Sequence, residues 1–226
     1  MLYVLSTGGS IINPGTIDVK YLKGLAALLS EMVEKGHKFV IVCGGGKTAR
    51  DYAFAAKELG ATEGEADLCG IAATWINSQL VRTLLKQYAP LNQPSSIKEV
   101  RDNLQTYSIE VCGGFLPALK TDEDAAIIAD LLGADYIINM TDVRGVYDTD
   151  PRKNPNAKLL DSLTYKEFYK IIGGIGIGAG AKAPFTLIAT QICERSEIKI
   201  LVIDGKNLEN LRAFYEGKKV EGTIVG

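Results

Sequence analysis

A run of three glycines followed by two cations stands out in the stretch VIVCGGGKTARDY, which begins at Val40. The glycines at 44–46 end a predicted strand, and Lys47 and Arg50 follow directly. Glycines at such a place allow backbone N–H groups to approach an anion closely, and a helix that begins there adds its positive end. These residue types in this order therefore predict a site for phosphate groups, whose negative charge the two cations would neutralise.

Two further glycine pairs end predicted strands, Gly8 with Gly9 after LYVLS and Gly113 with Gly114 after IEVC. A single pair of this kind is typical of a tight turn. Three such places favour a phosphate-rich pocket, because ligands of parallel sheets bind beyond the carboxyl ends of the strands. Two known nucleotide motifs do not fit: TGGSIINPG lacks the GxGxxG spacing, and strand residues precede GGGKTA where a P-loop requires a glycine.

Histidine and thiolate chemistry find little support in the sequence. His37 is the single histidine and lies in EKGHKF, between a predicted helix and a predicted strand, where we expect a surface turn residue. Cys43, Cys69, Cys112 and Cys193 are widely spaced and form no CxxC pair, so we expect reduced core thiols in a cytoplasm rather than zinc ligands.

Composition excludes several classes of protein. The chain has 226 residues, of which 46% are hydrophobic and 23% charged, as is usual for a globular protein. A net charge of -2 gives no reason to expect a nucleic acid or an anionic membrane as partner. No apolar run reaches the ~18 residues of a membrane span, and glycines interrupt MLYVLSTGGS too early for a signal peptide.

Strand-like and helix-like periods alternate along the chain. LYVLS, KFVIVC, IEVC, ADYIINMT, IKILVID and GTIV read as strands, and helical stretches separate them. The longest helix is expected to begin near Asp67. This alternation predicts an α/β fold in which helices cover both faces of a mainly parallel sheet, a three-layer αβα sandwich.

The stretch INMTDVRGVYDTDPRKNP begins at Ile138 and ends a strand in Thr141 and Asp142. Together with LSTGGS, CGGGKTAR, GGFLPALKTDEDAA and EGTIV, it resembles the amino-acid kinase family over essentially the whole chain. Within that family the motifs are most similar to those of archaeal and bacterial uridylate kinases. The resemblance implies a sheet of about eight strands in one domain (1–226), with the acceptor in about 1–125 and ATP in about 126–226.

The resemblance also implies an activity and its setting. The expected reaction is transfer of the γ-phosphate of ATP to UMP in pyrimidine biosynthesis, by a cytoplasmic homohexamer without nucleic-acid or membrane partners. Mg²⁺ is expected to arrive with ATP, without a metal site in the protein. In-line phosphoryl transfer depends on alignment and charge neutralisation, so the lack of an active-site histidine is no objection.

Site residues carried over from the resemblance have three roles. The transferring phosphate and ATP are expected to contact Gly8, Gly9, Ser10, Gly46, Arg50, Thr141, Tyr147 and Asp150. In the acceptor half, Gly45 is expected to contact the UMP phosphate and Asp67 its ribose. The uracil and ribose are expected to lie against the loop of Phe115, Leu116, Pro117, Ala118, Leu119, Lys120 and Thr121. The residues expected to act in catalysis are Arg50, Lys47, Lys182 and Asp142.

Several of these residues also have a purely structural interpretation. Asp67 could be only a helix N-cap, and Tyr147 only an aromatic residue of a turn. Asp150 precedes a proline and is typical of a turn. Trp75 and Asn77 lie on the long helix, where we expect packing or subunit contacts before ligand contacts.

The chain departs from the family pattern at four positions. Many members have a lysine where this chain has Ser6. Thr186 replaces a frequent carboxylate, Gln191 replaces a lysine of some relatives, and Arg144 replaces an aspartate. Lys47, Lys182 and Mg²⁺ are the expected substitutes for the missing cations, with Arg144 a further candidate.

Two alternatives to the UMP reaction therefore stay open at this point. The first is a kinase of the same fold for another small phosphate, carboxylate or carbamate. The second is a non-catalytic protein of this fold that binds a nucleotide or an oxyanion.

Overall fold

The structure is a computed structural model that describes residues 1–149, 151, 153–173 and 184–226. Asp150 and Lys182, for which the sequence analysis predicts roles, lie outside these ranges. None of the described helices combines the length and the apolar character that crossing a bilayer would require.

Seven strands and nine helices make up the described part of the chain. The strands are β1 (Leu2–Thr7), β2 (Lys38–Cys43), β3 (Ile109–Cys112), β4 (Tyr136–Thr141), β5 (Ser162–Leu163), β6 (Lys199–Asp204) and β7 (Thr223–Val225). The helices are α1 (Gly9–Ile12), α2 (Val19–Glu34), α3 (Gly46–Glu58), α4 (Glu63–Leu84), α5 (Ile97–Asn103), α6 (Thr121–Leu132), α7 (Tyr165–Ile172), α8 (Leu187–Arg195) and α9 (Leu208–Tyr215).

One sheet contains all seven strands in the order β3-β2-β1-β4-β6-β7-β5. Every neighbouring pair is parallel except β6 with β7, which is antiparallel. The predicted mainly parallel sheet is confirmed, and the described residues form seven strands where about eight were expected. Between β4 and α7, the described chain contributes only an isolated antiparallel bridge between Tyr147 and Leu159 and the two-residue strand β5.

Helices cover both faces of the sheet, as predicted. On one face, Leu5, Ile41 and Ile138 belong to an apolar cluster that includes residues of α2, α4 and α9. On the other face, alternate residues such as Val4 and Val40 pack with α5, α6, α7 and α8. Strands that are buried on both faces are apolar at most positions, which is why their sequences are nearly continuous apolar runs.

The long helix α4 begins earlier than the sequence analysis predicts. Thr62 is its N-cap: the Thr62 side chain accepts a hydrogen bond from Glu65 N–H, and the Glu65 carboxylate accepts one from Thr62 N–H over 2.8 Å. This reciprocal pair is a capping box. Asp67 therefore lies one turn inside the helix, and its interpretation as an N-cap is wrong.

His37 lies in the predicted connection, between α2 and β2, but its side chain is half-buried rather than exposed. Its ring centroid is 5.5 Å from that of Tyr3, and its Nδ1 is buried without a hydrogen-bond partner among the described residues. Burial lowers the pKa of His37, because the charged imidazolium loses hydration there. His37 precedes β2, so it lies at the opposite end of that strand from the glycine run.

Candidate active site

A cavity of about 530 Å³ opens at the carboxyl ends of the central strands. Its lining includes the loops after β1, β2 and β3, represented by Gly8 and Gly9, by the glycines at 44–46 and by Gly114. The three glycine-containing strand ends thus meet at one place, as the sequence pattern predicts. Gly113 is outside the lining. It packs against α4 instead, where a Cβ at this position would lie 2.3 Å from Thr74 Oγ1.

The first two glycine loops touch each other through their backbones. A Cβ at Gly9 would lie 1.9 Å from the backbone nitrogen of Gly46, and one at Gly44 would lie 2.6 Å from Gly9 N. Gly46 also has a φ of 63°, in the left-handed region that side chains disfavour. Contact between the loops therefore already requires these glycines, whether or not a phosphate also lies against them.

Helix α4 holds the second and third loops from one side. The Asn77 side-chain amide donates a hydrogen bond of 2.7 Å to Gly44 O, and Trp75 Nε1 donates one of 2.9 Å to Gly114 O. Gly114 N–H in turn donates to Thr74 Oγ1 over 2.8 Å. Trp75 and Asn77 thus make the packing contacts expected of them, and these contacts fix the backbone at the rim of the cavity.

The cations predicted to act in catalysis occupy different places. Arg50 lines the cavity and makes no hydrogen bond or ion pair within the part of the chain that the structure describes. Lys47 lies outside the lining and pairs with Asp51, one turn further along α3. Arg144 also lies outside and pairs with Glu221 over 3.1 Å. Of the residues described, Arg50 and Lys120 are the cations that line the cavity.

Residues of the acceptor loop divide between the cavity and the protein. Leu116, Leu119, Lys120 and Thr121 line the cavity, as predicted. Three other residues of this loop do not line the cavity: Phe115, Pro117 and Ala118. The Phe115 ring packs on the apolar cluster that includes α6 and α8, and the other two residues are exposed.

Asp67 lines the cavity from α4 and is joined to the acceptor loop. Its Oδ2 accepts a hydrogen bond of 2.9 Å from Ala118 N–H. Ala118 has a φ of 67°, a conformation that costs a non-glycine residue about 1–2 kcal/mol. The contact therefore stabilises an unfavourable backbone conformation and leaves Asp67 Oδ1 for a ligand.

Only some of the residues predicted to contact ATP line the cavity. Thr141, Asp142, Gly9, Ser10 and Gly46 line the cavity. The Thr141 hydroxyl accepts a hydrogen bond of 3.1 Å from Val143 N–H, so one of its lone pairs stabilises the loop after β4. Tyr147 is half-buried and outside the lining, so its proposed contact with the ATP base stays a prediction.

Two carboxylates near the cavity were missed by the sequence analysis. Asp122 lines the cavity and accepts a hydrogen bond from Ser6, a contact between residues 116 positions apart. Asp124 is buried beneath the acceptor loop, and its Oδ2 accepts a long hydrogen bond of 3.4 Å from Phe115 N–H. Burial raises the pKa of Asp124 to about 6. Acids in the first turn of a helix usually only complement its dipole, so neither contact is visible in the residue pattern.

Comparison with known proteins adds to this geometry. A sequence profile described as the amino acid kinase family matches residues 1–204. The uridylate kinase of Methanococcoides burtonii is 39% identical over 231 aligned residues, which cover 100% of this chain and 98% of that protein. The uridylate kinase of Pyrococcus abyssi is 38% identical over 225 residues, with 100% and 99% covered. The crystal structure of uridylate kinase from Archaeoglobus fulgidus superposes with a TM-score of 0.89 at 34% identity and covers 100% of both chains.

Proposed function

The chain belongs to the amino acid kinase family, and we propose that its reaction is transfer of the γ-phosphate of ATP to UMP, giving ADP and UDP. Full-length similarity to uridylate kinases at 34–39% identity supports this substrate pair. The observation that carries the proposal in the structure is the cavity itself, where two backbone loops and an arginine without a partner among the described residues meet at the carboxyl ends of the strands.

Phosphoryl transfer requires that two polyanions lie end to end, with their charge neutralised. Gly9 and Gly46 bring two backbone segments together at the centre of the cavity, where the transferring group would contact their N–H groups. The Arg50 guanidinium has no partner in the part of the chain that the structure describes, and it would form charge-assisted hydrogen bonds to phosphate oxygens. No proton needs to be removed by a histidine, since a UMP phosphate oxygen is already an anionic nucleophile at neutral pH.

The two substrates would enter from different sides of this centre. Asp67 and the acceptor loop would hold the ribose and the base of UMP, with Asp67 Oδ1 accepting from a ribose hydroxyl. Thr141 and Asp142 at the end of β4 would contact ATP. This assignment is part of the proposal and follows the order of the motifs along the chain.

We propose that Mg²⁺ enters the cavity bound to ATP. In the described ranges, no three His, Cys, Asp or Glu side chains cluster in a way that could hold a metal ion. Asp122 and Asp142 line the cavity, and carboxylate oxygens suit this cation. When bound, Mg²⁺ would neutralise part of the charge that develops on the phosphate oxygens.

The proposal extends to self-association as a hexamer. Helix α3 has no buried residue in the single chain, and Tyr52 and Phe54 on it are 64% and 67% exposed. Leu68 and Ile76 on the adjoining α4 are also exposed. Exposed apolar side chains on two packed helices are typical of a surface that another subunit covers.

We further propose that the protein acts in the cytoplasm, in the supply of pyrimidine nucleotides. All four cysteines are free, as expected of a reducing compartment. UDP is the precursor that a cell needs for uridine and cytidine triphosphates, so the product fits this place in metabolism.

A panel of acceptors tests the proposed reaction. With MgATP, release of ADP should be faster by kcat/KM with UMP than with CMP, AMP, GMP or an isoprenoid phosphate. A higher kcat/KM with another acceptor would identify that acceptor, and not UMP, as the preferred substrate. ATP binding without turnover on any acceptor would indicate a non-catalytic role.

A further inference from the structure

Lys120 occupies a position in its helix that lysine does not favour. It is the N-cap of α6, and its side chain makes no capping hydrogen bond. N-caps are usually Ser, Thr, Asp or Asn, whose side chains accept from the helix, and a cation lies unfavourably at the positive end of the helix dipole. The Glu123 carboxylate accepts a hydrogen bond from the Lys120 N–H, but the lysine side chain itself offers the helix no acceptor. A residue that breaks such a local rule is expected at a functional site.

The other helices of the described chain show that this is a local departure. Six of them begin at an N-cap whose side chain accepts a hydrogen bond from the helix: Asp18, Thr62, Ser96, Thr164, Thr186 and Asn207. The three described helices without such a bond, α1, α3 and α6, begin at Gly8, Gly45 and Lys120. All three of these residues line the cavity. Missing caps are therefore a property of the cavity in this part of the chain.

The Lys120 side chain is also free to bind a ligand. Its ammonium makes no hydrogen bond or ion pair with any residue that the structure describes, whereas Lys47 and Arg144 are both paired with carboxylates outside the cavity. Lys120 thus supplies positive charge to the same cavity as Arg50, but from α6 instead of α3.

The surroundings of Lys120 connect it to the acceptor. It ends the loop whose Ala118 N–H donates to Asp67, and it precedes Asp122, which the Ser6 hydroxyl holds at the end of β1. The start of α6 is thereby fixed next to the strand that leads into Gly8 and Gly9. Lys120 is thus a cavity-lining cation at the junction of the acceptor loop and α6.

We propose that the Lys120 ammonium binds the phosphate group of the acceptor nucleotide. This inference rests on the proposed function, and it assigns to Lys120 a phosphate contact instead of the contact with uracil or ribose that the resemblance implies. Lys120 places a positive charge at the start of α6, next to the end of β1, where Ser6 is neutral. The role of this lysine is then to bind the ligand and not to cap the helix, which explains an otherwise unfavourable N-cap.

The variant Lys120→Thr tests this role, since threonine is a good N-cap and removes only the cation. Its thermal unfolding midpoint should equal or exceed that of the unmodified protein. The Kd for UMP, measured by calorimetry without ATP, should rise roughly 10-fold to 100-fold, the effect of losing one hydrogen bond between charged groups. The Kd for uridine, which lacks the phosphate, and the Kd for ATP should not change.

Two further variants complete the experiment. Lys120→Arg keeps the charge and should restore most of the affinity for UMP. Lys20→Thr removes an exposed lysine from the first turn of α2, outside the cavity, and should leave the Kd for UMP unchanged.

Three results would overturn the inference. An unchanged Kd for UMP in Lys120→Thr, in a protein that still phosphorylates UMP, would remove the phosphate contact and leave the proposed function intact. Equal losses of affinity for UMP and uridine would show that the residue shapes the loop instead. An unmodified protein that neither binds nor phosphorylates UMP would overturn the proposed function and this inference with it.

Discussion

Ser6 Oγ donates a hydrogen bond of 2.7 Å to Asp122 Oδ1, and this contact joins the end of β1 to the first turn of α6. Ser6 is 2% exposed, and Asp122 lines the cavity. The family resemblance implies a lysine at the position of Ser6. In this chain, a neutral hydroxyl meets the carboxylate instead. The contact positions α6, and the positive charge of the site must come from other residues.

Replacing Ser6 with alanine should lower both stability and activity. The free energy of unfolding should fall by about 1.5–3 kcal/mol, as for a hydrogen bond to a charged group, and kcat should fall because the start of α6 loses its anchor. Chemical denaturation and steady-state kinetics measure the two effects.

The matched control is Ser196→Ala, because Ser196 Oγ donates to Asp130 Oδ1 over 2.5 Å outside the cavity lining. It should lose similar stability and keep its kcat. Equal kcat values in the two variants would contradict a positioning role for Ser6.

Replacing Arg50 with alanine should reduce kcat by ~10³-fold or more, the scale of arginine residues that stabilise phosphoryl transfer. Its side chain has no partner among the described residues, so thermal unfolding should change little. Stopped-time assays of ADP release measure the effect. The control Arg101→Ala removes an exposed arginine of α5 outside the lining and should keep the unmodified kcat. A near-normal kcat in Arg50→Ala, with both nucleotides bound, would exclude the assignment.

Asp67 should give the site its preference for a ribose over a deoxyribose. If Asp67 Oδ1 accepts from a ribose hydroxyl, dUMP should be the poorer acceptor by the equivalent of ~1–3 kcal/mol. Asp67→Ala should reduce kcat/KM for UMP more than for dUMP and bring the two values together. A preference for UMP that survives in Asp67→Ala would place the ribose elsewhere.

Asp124 should make the stability of the protein depend on pH. Burial raises its pKa to about 6 in the folded state, above the ~3.9 of an unfolded chain. The folded protein therefore binds a proton at Asp124 more tightly than the unfolded chain does. The resulting contribution to the free energy of unfolding is fully present below pH ~4 and is lost as the pH rises through 6. The shift corresponds to at most about 3 kcal/mol.

Urea denaturation of the unmodified protein and of Asp124→Asn between pH 4 and 7 tests this expectation. The free energy of unfolding of the unmodified protein, relative to the variant, should decrease from pH 4 to pH 6 and then level off. A difference that stays constant over this range would contradict the raised pKa.

The sheet and the meeting of the glycine loops could be predicted from the sequence for physical reasons. A parallel strand buried on both faces is apolar along most of its length, so KFVIVC and IKILVID are recognisable by their central apolar runs without tertiary information. Parallel strands also place their carboxyl ends on one edge, so glycines such as Gly8 and Gly44 had to lie near each other.

Other features depended on contacts that the sequence does not display. The Gly9–Gly46 approach is a tertiary contact, and Ser6 with Asp122 spans 116 positions. The direction of the flexible Lys47 side chain is set by Asp51, one turn away.

One local signal was present and was missed. The spacing of Thr62 and Glu65 in ATEGEAD is that of a capping box and marks the start of α4. The apolar period of that helix begins later, which is why the helix was predicted to start near Asp67.

Simultaneous measurement of UDP and ADP, in a reaction that contains the protein, MgATP and UMP, tests most directly whether this cavity transfers phosphate between the two nucleotides. We expect the two products to form in equal amounts. Uridine in place of UMP should yield neither product, because the acceptor phosphate is the nucleophile. In Arg50→Ala both rates should fall together. Release of ADP without UDP, or no turnover although both nucleotides bind, would contradict the claim that this cavity transfers phosphate from ATP to UMP.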